Sequence, residues 1–211
     1  MGGLTDRVAM RPDGWLWPVG DTITWKTVQQ ELDEIPALLG LCKSRRTVVQ
    51  AGGNGGLWVR PLAEAFERVM TFEPDPVNFR CLVHNVPHAN VTFTMGALGP
   101  CGGEWGEVVH TYKGNPGAHH VKAGRGATPI YAIDEYMLTD VDLLQLDIEG
   151  AEMMALKGAV STIEACKPVI CVELRGHAGR FGNDDDAVRS FLRSLGYRME
   201  RRMHHDEFWI P

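Results

Sequence analysis

The run Val48-Val49-Gln50-Ala51-Gly52-Gly53-Asn54-Gly55-Gly56, followed by Val69-Met70-Thr71-Phe72-Glu73-Pro74, constrains this chain more than any other stretch. An apolar run, a glycine turn, a helical stretch and a second apolar run closing on a carboxylate, about twenty residues past the turn, form the pattern of a βαβ unit that holds a nucleoside. Glycine removes the Cβ atoms that would keep a ligand off the backbone, and the helix behind the turn offers unpaired N–H groups. Glu73 then stands where a carboxylate accepts both hydroxyls of a ribose. A tight turn in an ordinary α/β domain carries the same glycines. The ligand reading is preferred because open parallel sheets bind ligands at this point by default.

The type of nucleoside follows from what is missing. A dinucleotide fingerprint needs a third small residue where the helix packs on the strand, and in the frame Gly53-x-Gly55 that position holds Trp58. No Gly-Lys-Ser/Thr follows the turn, so phosphate-cradling machinery is absent as well. A ribose acid with a glycine turn and no phosphate apparatus points to S-adenosylmethionine, with Gly52, Gly53, Asn54 and Gly56 shaping the turn and Glu73 holding the ribose.

A chain of 211 residues is long enough for one domain with a sizeable core. The net charge of −6 argues against a broad nucleic-acid surface, and the basic cluster Arg198, Arg201, Arg202, His204 and His205 reads as the solvated face of a late strand. Five cysteines, odd in number and without a Cys-x-x-Cys pair, read as reduced thiols of a cytoplasmic protein. No apolar run is long enough to span a bilayer, so no membrane partner is expected.

Periodicity places a helix over residues 25–41, interrupted at Pro36, and a strand over Thr47–Ala51. A helix with Leu62, Phe66 and Val69 on or near one face follows, then a strand ending at Glu73, a helix through Phe79, Leu82 and Val83, and a strand over Val91–Met95. Residues 98–126 are rich in Gly and His and suggest a hairpin or loop insertion around Val108–Tyr112, which at that length is functional or mobile. A fourth strand, Val141–Asp147, leads into one helix through Met153, Leu156, Val160 and Ile163. Strand Val169–Leu174, a helix capped by Asn183 with Asp186, and an antiparallel pair over Tyr197–Met203 and Glu207–Ile210 complete a single domain over 1–211. The segment 1–45 carries Trp15 and Trp17 and either folds over the cofactor mouth as a lid or covers an apolar edge.

Three blocks then line up: Gly52-x-Asn54-x-Gly56, Phe72-Glu73-Pro74 with Asn78-Phe79, and Asp147-Ile148-Glu149-Gly150-Ala151-Glu152 with Leu156-Lys157-Gly158-Ala159. Together with Ile133-Asp134 they make residues 45–175 resemble the FkbM family of S-adenosylmethionine-dependent methyltransferases. The resemblance implies a Rossmann-like, doubly wound α/β sheet of seven strands, mostly parallel, with a C-terminal antiparallel hairpin. It also implies O-methylation of a sugar or small metabolite and S-adenosylhomocysteine as product. The family usually carries an acid where this chain has Gln50, a residue that helps hold the ammonium of the cofactor's methionine part. A neutral amide there weakens or shifts that contact, or marks a member that binds the cofactor without turnover.

Pro74 belongs to the cofactor wall, and Ala97 and Leu98, just past the third strand, stand where adenine rests. Methyl transfer from a sulfonium needs alignment and dryness more than covalent machinery, but an alcohol acceptor must lose its proton. Asp147 ends the fourth strand beside the reacting centre, Glu149 flanks it, and His177 is the first choice of base because imidazole titrates near neutrality. His119, His120, His204 and His205 rank below it. Asp147, Glu149, Glu152, Glu173 and His177 together resemble a magnesium or calcium set. The preferred reading has no metal: Glu149 and Glu152 favour a helix's positive end, and Glu173 pairs with Arg175 or Arg180. A nucleic-acid methyltransferase stays as a rival, requiring the tail arginines to line the cofactor mouth and a steep loss of binding with salt.

Overall fold

The computed structural model describes residues 7–211, so the first six positions of the 1–45 segment lie outside it. A short hairpin, β1 (Val8–Met10) with β2 (Leu16–Pro18), opens the described chain. Two helices, α1 (Thr24–Glu31) and α2 (Glu34–Leu41), stand where one interrupted helix was expected. The break falls at Leu32-Asp33. Pro36 sits in the first turn of α2, where a missing N–H removes no intrahelical bond.

The β-α-β-α-β run is β3 (Thr47–Ala51), α3 (Val59–Ala65), β4 (Arg68–Phe72), α4 (Pro76–Asn85) and β5 (Val91–Thr94). α3 is shorter than its apolar spacing implied: Phe66 is already extended, and Val69 belongs to β4. The start of α4 is built by Asp75, whose Oδ1 accepts the N–H groups of Val77 at 2.7 Å and Asn78 at 3.1 Å, with Pro76 at the first helical position. On α4 it is Cys81, Leu82 and, just past its end, Val86 that are buried, whereas Val83 is exposed.

The segment expected to be a hairpin or loop is a second sheet. β6 (Ala97–Leu98), β7 (Glu104–Val109), β8 (His120–Ala123) and β9 (Thr128–Tyr131) pair in the order β6-β9-β7-β8. It therefore runs to Tyr131 rather than Gly126, because β9 closes antiparallel on β7 and parallel on β6.

β10 (Val141–Leu146) is followed by two short helices, α5 (Glu152–Lys157) and α6 (Val160–Cys166), in place of the one helix expected. The break has a tertiary cause. A Cβ on Gly158 would lie 2.1 Å from the Gly99 carbonyl oxygen, and the Gly158 carbonyl accepts the Asp134 N–H at 2.8 Å. The Asp134 carboxylate in turn caps α6, accepting N–H bonds from Ser161 at 2.9 Å and Thr162 at 2.8 Å. β11 (Val169–Glu173), α7 (Asp185–Ser194), β12 (Arg198–Met203) and β13 (Asp206–Ile210) complete the chain. The cap of α7 is Asp184, accepting from Ala187 at 2.6 Å, not Asn183.

The large sheet has the order β12-β13-β11-β10-β3-β4-β5, parallel from β11 to β5, with β13 antiparallel to β11 and to β12. Strand alternation splits the core in two. Val49, Ala51, Leu144, Leu146, Ile170 and Val172 face α5, α6 and α7, while Val48, Leu143, Val169 and Cys171 face α2, α3 and α4. Chain order reverses between β3 and β10, so the carboxyl ends of these strands diverge into a crevice. Among the described residues no helix is long and apolar enough to cross a membrane, and the five cysteines are free thiols.

Candidate active site

A large cavity opens over the carboxyl ends of β3, β4, β10 and β11. Its wall includes Gly52, Gly53, Asn54, Glu73, Pro74, Ala97, Leu98, Asp147 and Glu149, all singled out from the sequence. Gln50, Gly56 and His177 do not border it.

The glycines of the turn are required by protein contacts as much as by a ligand. Gly52 has φ +88°, and a Cβ there would lie 1.8 Å from the Asp147 carbonyl oxygen. On Gly53 it would meet Leu82 and Thr71, and on Gly55 the Trp17 ring at 2.1 Å. Gly56, with φ +94°, faces Val86 and Leu82 on α4 instead of the cavity. The turn is thus wedged between α4, β10 and the N-terminal hairpin. Asn85 fastens that hairpin: it accepts the Leu16 N–H at 2.8 Å and donates to the carbonyls of Leu16 at 2.8 Å and Gly55 at 2.7 Å. Trp17 borders the cavity, so one of the two tryptophans forms part of its wall. Trp58, read from the sequence only as an obstacle to a dinucleotide, also lines it.

Glu73 is buried and anchors the turn itself. Oε2 accepts the Asn54 N–H at 2.7 Å and Oε1 the Asp75 N–H at 2.8 Å. Burial raises its pKa to about 7 against the lowering effect of those two bonds. Each oxygen keeps a further lone pair for a hydroxyl donor. Asn54 holds a left-handed φ of +45° and its Oδ1 accepts the Gly55 N–H at 2.6 Å. Next to Glu73 on the wall, Asn78 Oδ1 is buried without a hydrogen-bond partner, while its Nδ2 donates to the Pro116 carbonyl.

Gln50 has no contact with this space. It shares a face with Val48 and is fully buried; its Oε1 accepts the Thr71 hydroxyl across β4. Any effect it has on a ligand passes through the packing of β3, so the expected weakening of an ammonium contact at Gln50 loses its basis.

Acidic side chains gather at the ends of β10 and β11 and the start of β13. Asp147 is pushed up to about 8, chiefly by burial and then by Glu149, Asp206 and Glu31, with Arg175 opposing. Glu173 rises for the same reasons, burial first and Asp147 next. Arg175 reaches Glu173 at 2.5 Å and Glu31 at 3.5 Å, which matches the expected arginine pair and adds a carboxylate from α1. Behind them Glu34 is pushed up to about 8, by burial first. Its carboxylate accepts no hydrogen bond, His204 Nε2 lies 3.8 Å from Oε1, and the neighbouring Asp206 is also raised, burial first and Glu34 next. Glu152 stands at the start of α5 as expected, accepting from Ile148 and Gly150. Glu149 does not: it pairs with Arg180 at 3.0 Å and His177 at 2.7 Å.

His177, the first-choice base from the sequence, stands outside the cavity wall. Its Nδ1 lies 2.7 Å from Oε2 of Glu149, a residue of the wall. His119 and His120, ranked below it, do border the cavity. Burial lowers the pKa of His120, so its imidazole is neutral near pH 7, and its Nδ1 lies 3.1 Å from the Thr111 hydroxyl. Arg198, Arg201 and Arg202 lie on the edge strand β12 and do not line the cavity.

Comparison with solved structures gives the same architecture. A methyltransferase FkbM from Methylobacillus flagellatus KT superposes with a TM-score of 0.59 at 19% identity, covering 82% of this chain and 45% of that one. A precorrin 8w decarboxylase from Methanobacterium thermoautotrophicum has a TM-score of 0.52 at 14% identity over 98% of this chain and 97% of that one. Magnesium protoporphyrin IX methyltransferase from Synechocystis PCC 6803, solved with bound SAM, has a TM-score of 0.50 at 13% identity over 86% and 77%. At such identities the likeness is one of fold. No curated protein matches the chain. The methyltransferase FkbM domain family, however, matches residues 63–199, a span that runs from α3 through the carboxylate ends of β4, β10 and β11 into β12. With well over half of its length inside that match, the chain belongs to the FkbM methyltransferase domain family.

Proposed function

We propose that the protein is an S-adenosylmethionine-dependent methyltransferase that methylates a hydroxyl of a carbohydrate or small metabolite and releases S-adenosylhomocysteine. The observation that carries this is the cavity's two-ended chemistry: the Glu73 carboxylate beyond the glycine turn and the Asp147, Glu149 and Glu173 carboxylates opposite. A sulfonium nucleoside with an ammonium group suits that surround, and the open acceptor Asn78 Oδ1 is a further polar group in the wall. Bound there, the cofactor supplies a sulfonium methyl that an acceptor oxygen takes in an in-line displacement.

Glu73 holds the ribose with the lone pairs its backbone contacts leave. Gly52, Gly53, Asn54 and Pro74 form the passage, and Ala97 and Leu98 flank the adenine. Gln50 and Gly56 support the turn from beneath. Asp147 and Glu149 orient the acceptor, Trp17 and Trp58 exclude water, and the free Nε2 of neutral His120 takes the acceptor's proton. A divalent cation at Glu149, Glu173 and His177 is not favoured, because Arg175 and Arg180 already neutralise those acids. Nucleic acid is not favoured either, since the tail arginines stand apart from the cavity. In this reading the sheet is Rossmann-like and doubly wound, residues 1–211 form one domain, 7–45 closes over the turn, and the second sheet, which contains the expected 98–126 insertion, shapes the acceptor side.

Calorimetry with S-adenosylmethionine and with NAD, on the wild type and on Glu73→Gln, tests the reading. Glutamine keeps an oxygen for one backbone N–H but removes the charge. S-adenosylmethionine is expected to bind and NAD not, with the substitution weakening binding roughly tenfold or more, the scale of a hydrogen bond to a charged group. Equal binding of NAD, or unchanged affinity in the variant, defeats the assignment.

A further inference from the structure

Just past Glu73, Asp75, His110 and His119 converge. Asp75 spends Oδ1 on two N–H groups of α4, which leaves Oδ2 fixed and directed outward. His119 Nδ1 lies 3.0 Å from that oxygen and His110 Nε2 3.9 Å from it. One ligand atom from each of the three residues falls within 4.8 Å of the others. A tetrahedral ion with bonds of about 2.0 Å has ligand–ligand edges of about 3.3 Å, so these spacings need only small side-chain rotations to close on one. The buried carboxylate is oriented by a helix terminus, the outer-shell support that metal ligands commonly have.

We infer that Asp75, His110 and His119 bind a zinc-class transition-metal dication that clasps the insertion sheet to α4. Two imidazoles and one carboxylate suit zinc, iron or cobalt; magnesium and calcium take oxygen sets. The clasp completes an attachment already begun by neutral bonds. Asn78 Nδ2 of α4 donates to the Pro116 carbonyl at 2.9 Å, and beside it the Gly117 N–H donates to the Thr24 hydroxyl of α1 at 3.0 Å. His119 lies on the cavity wall and His120 is next in the chain, so the ion fixes the strand that carries the proposed proton acceptor. Three protein ligands leave a fourth position for water or an acceptor group.

The site does not depend on the identity of the cofactor, and its test is independent of turnover. Chelator-stripped protein is titrated with zinc sulfate and, separately, with magnesium chloride in the calorimeter; cobalt(II) then reports geometry by its visible absorption. The wild type is expected to take one equivalent of zinc, ignore magnesium, gain the bands of four-coordinate cobalt and melt at a higher temperature with zinc. His110→Ala, at an exposed position, and His119→Ala should each lose affinity beyond the roughly 10–100-fold cost of losing an outer-shell partner. Asp75→Asn keeps the Oδ1 cap of α4 and should also weaken zinc. His177→Ala, which alters the other candidate cluster, should leave zinc binding unchanged. No stoichiometric zinc, wild-type zinc affinity in either histidine variant, loss of binding in His177→Ala, or equal affinity for magnesium each overturns the inference.

Discussion

Alanine at Gly52 separates a backbone cost from a packing cost, because the chain contains its own control. Gly52 and Gly196 share φ +88°, yet a Cβ on Gly196 meets nothing within 4 Å, whereas on Gly52 it would lie 1.8 Å from the Asp147 carbonyl oxygen and 2.9 Å from its carbon. Forcing an L-residue into left-handed backbone costs roughly 1–2 kcal/mol, so Gly196→Ala should cost that and little else. At Gly52 the neighbour is backbone and cannot rotate away. The Asp147 N–H donates to the Ala51 carbonyl at 3.1 Å and the Gly52 N–H to Phe72 at 3.0 Å, tying β3, β4 and β10 together around the contact. Overpacking of that kind adds roughly 1–3 kcal/mol, for a total of roughly 2–5 kcal/mol. At about 2–4 °C per kcal/mol for a domain of this size, the melting temperature falls roughly 2–8 °C for Gly196→Ala and 4–20 °C for Gly52→Ala. Urea unfolding at unchanged m gives the free energies directly. Equal losses in the two variants refute the close approach of β10 to the turn.

Three further outcomes are expected. Arg189 makes a forked contact with buried Glu207, Nε at 3.0 Å and Nη2 at 2.8 Å from Oε1, so Arg189→Ala should cost roughly 3–5 kcal/mol in urea unfolding by leaving the buried carboxylate only the longer contact to Arg202 at 4.0 Å. Glu34 is raised in the folded state to about 8, so its contribution is present below the unfolded carboxylate value and is lost as pH rises toward 8. Glu34→Gln should accordingly gain stability relative to the wild type as pH rises from 5 to 7, and parallel pH profiles for the two proteins would show that the acid titrates normally. Finally, His120→Asn should lower kcat by roughly 10²–10⁴-fold as a lost proton acceptor does, with His177→Asn affecting mainly stability. The reverse order of effects in steady-state assays restores His177 to the site.

The elements legible in the sequence are those whose signal is local. β3 was recognisable end to end because Val48 and Val49 precede a glycine that stops the strand, and β11 because its run from Val169 to Val172 is apolar on both faces. Where a boundary depends on a distant residue, periodicity missed it. The break between α5 and α6 is made by Gly99 and Asp134, so the helical spacing from Met153 to Ile163 runs on across it. The second sheet exists because β6 and β9, more than thirty residues apart, pair in parallel, and no local turn signal encodes such a partnership. Asn183 and Asp184 are both good capping residues, and only the backbone direction into α7 chooses between them.

The site divides along the same line. Residues in or just past strand ends, Glu73 and Asp147 above all, reach the cavity because a parallel sheet gathers its carboxyl ends on one side. Gln50 was misplaced although strand parity contains the answer: residues two apart share a face, Val48 is core, and the chain leaves strand geometry only at Gly52. Gly56 and His177 are harder, since each is claimed by a partner, Val86 in one case and Glu149 in the other, that sequence distance hides. Within the proposed reading these displacements have one electrostatic consequence. The acidic groups on that side of the cavity are Glu31, Asp147 and Glu173, which come from three separate elements, with Arg175 paired to Glu31 and Glu173; burial raises all three, and a bound ammonium favours their charged forms. A charge spread in this way survives loss of any one acid. The ammonium end of the cofactor should therefore tolerate Glu31→Gln far better than the ribose end tolerates Glu73→Gln, where one side chain both braces the turn and holds the hydroxyls.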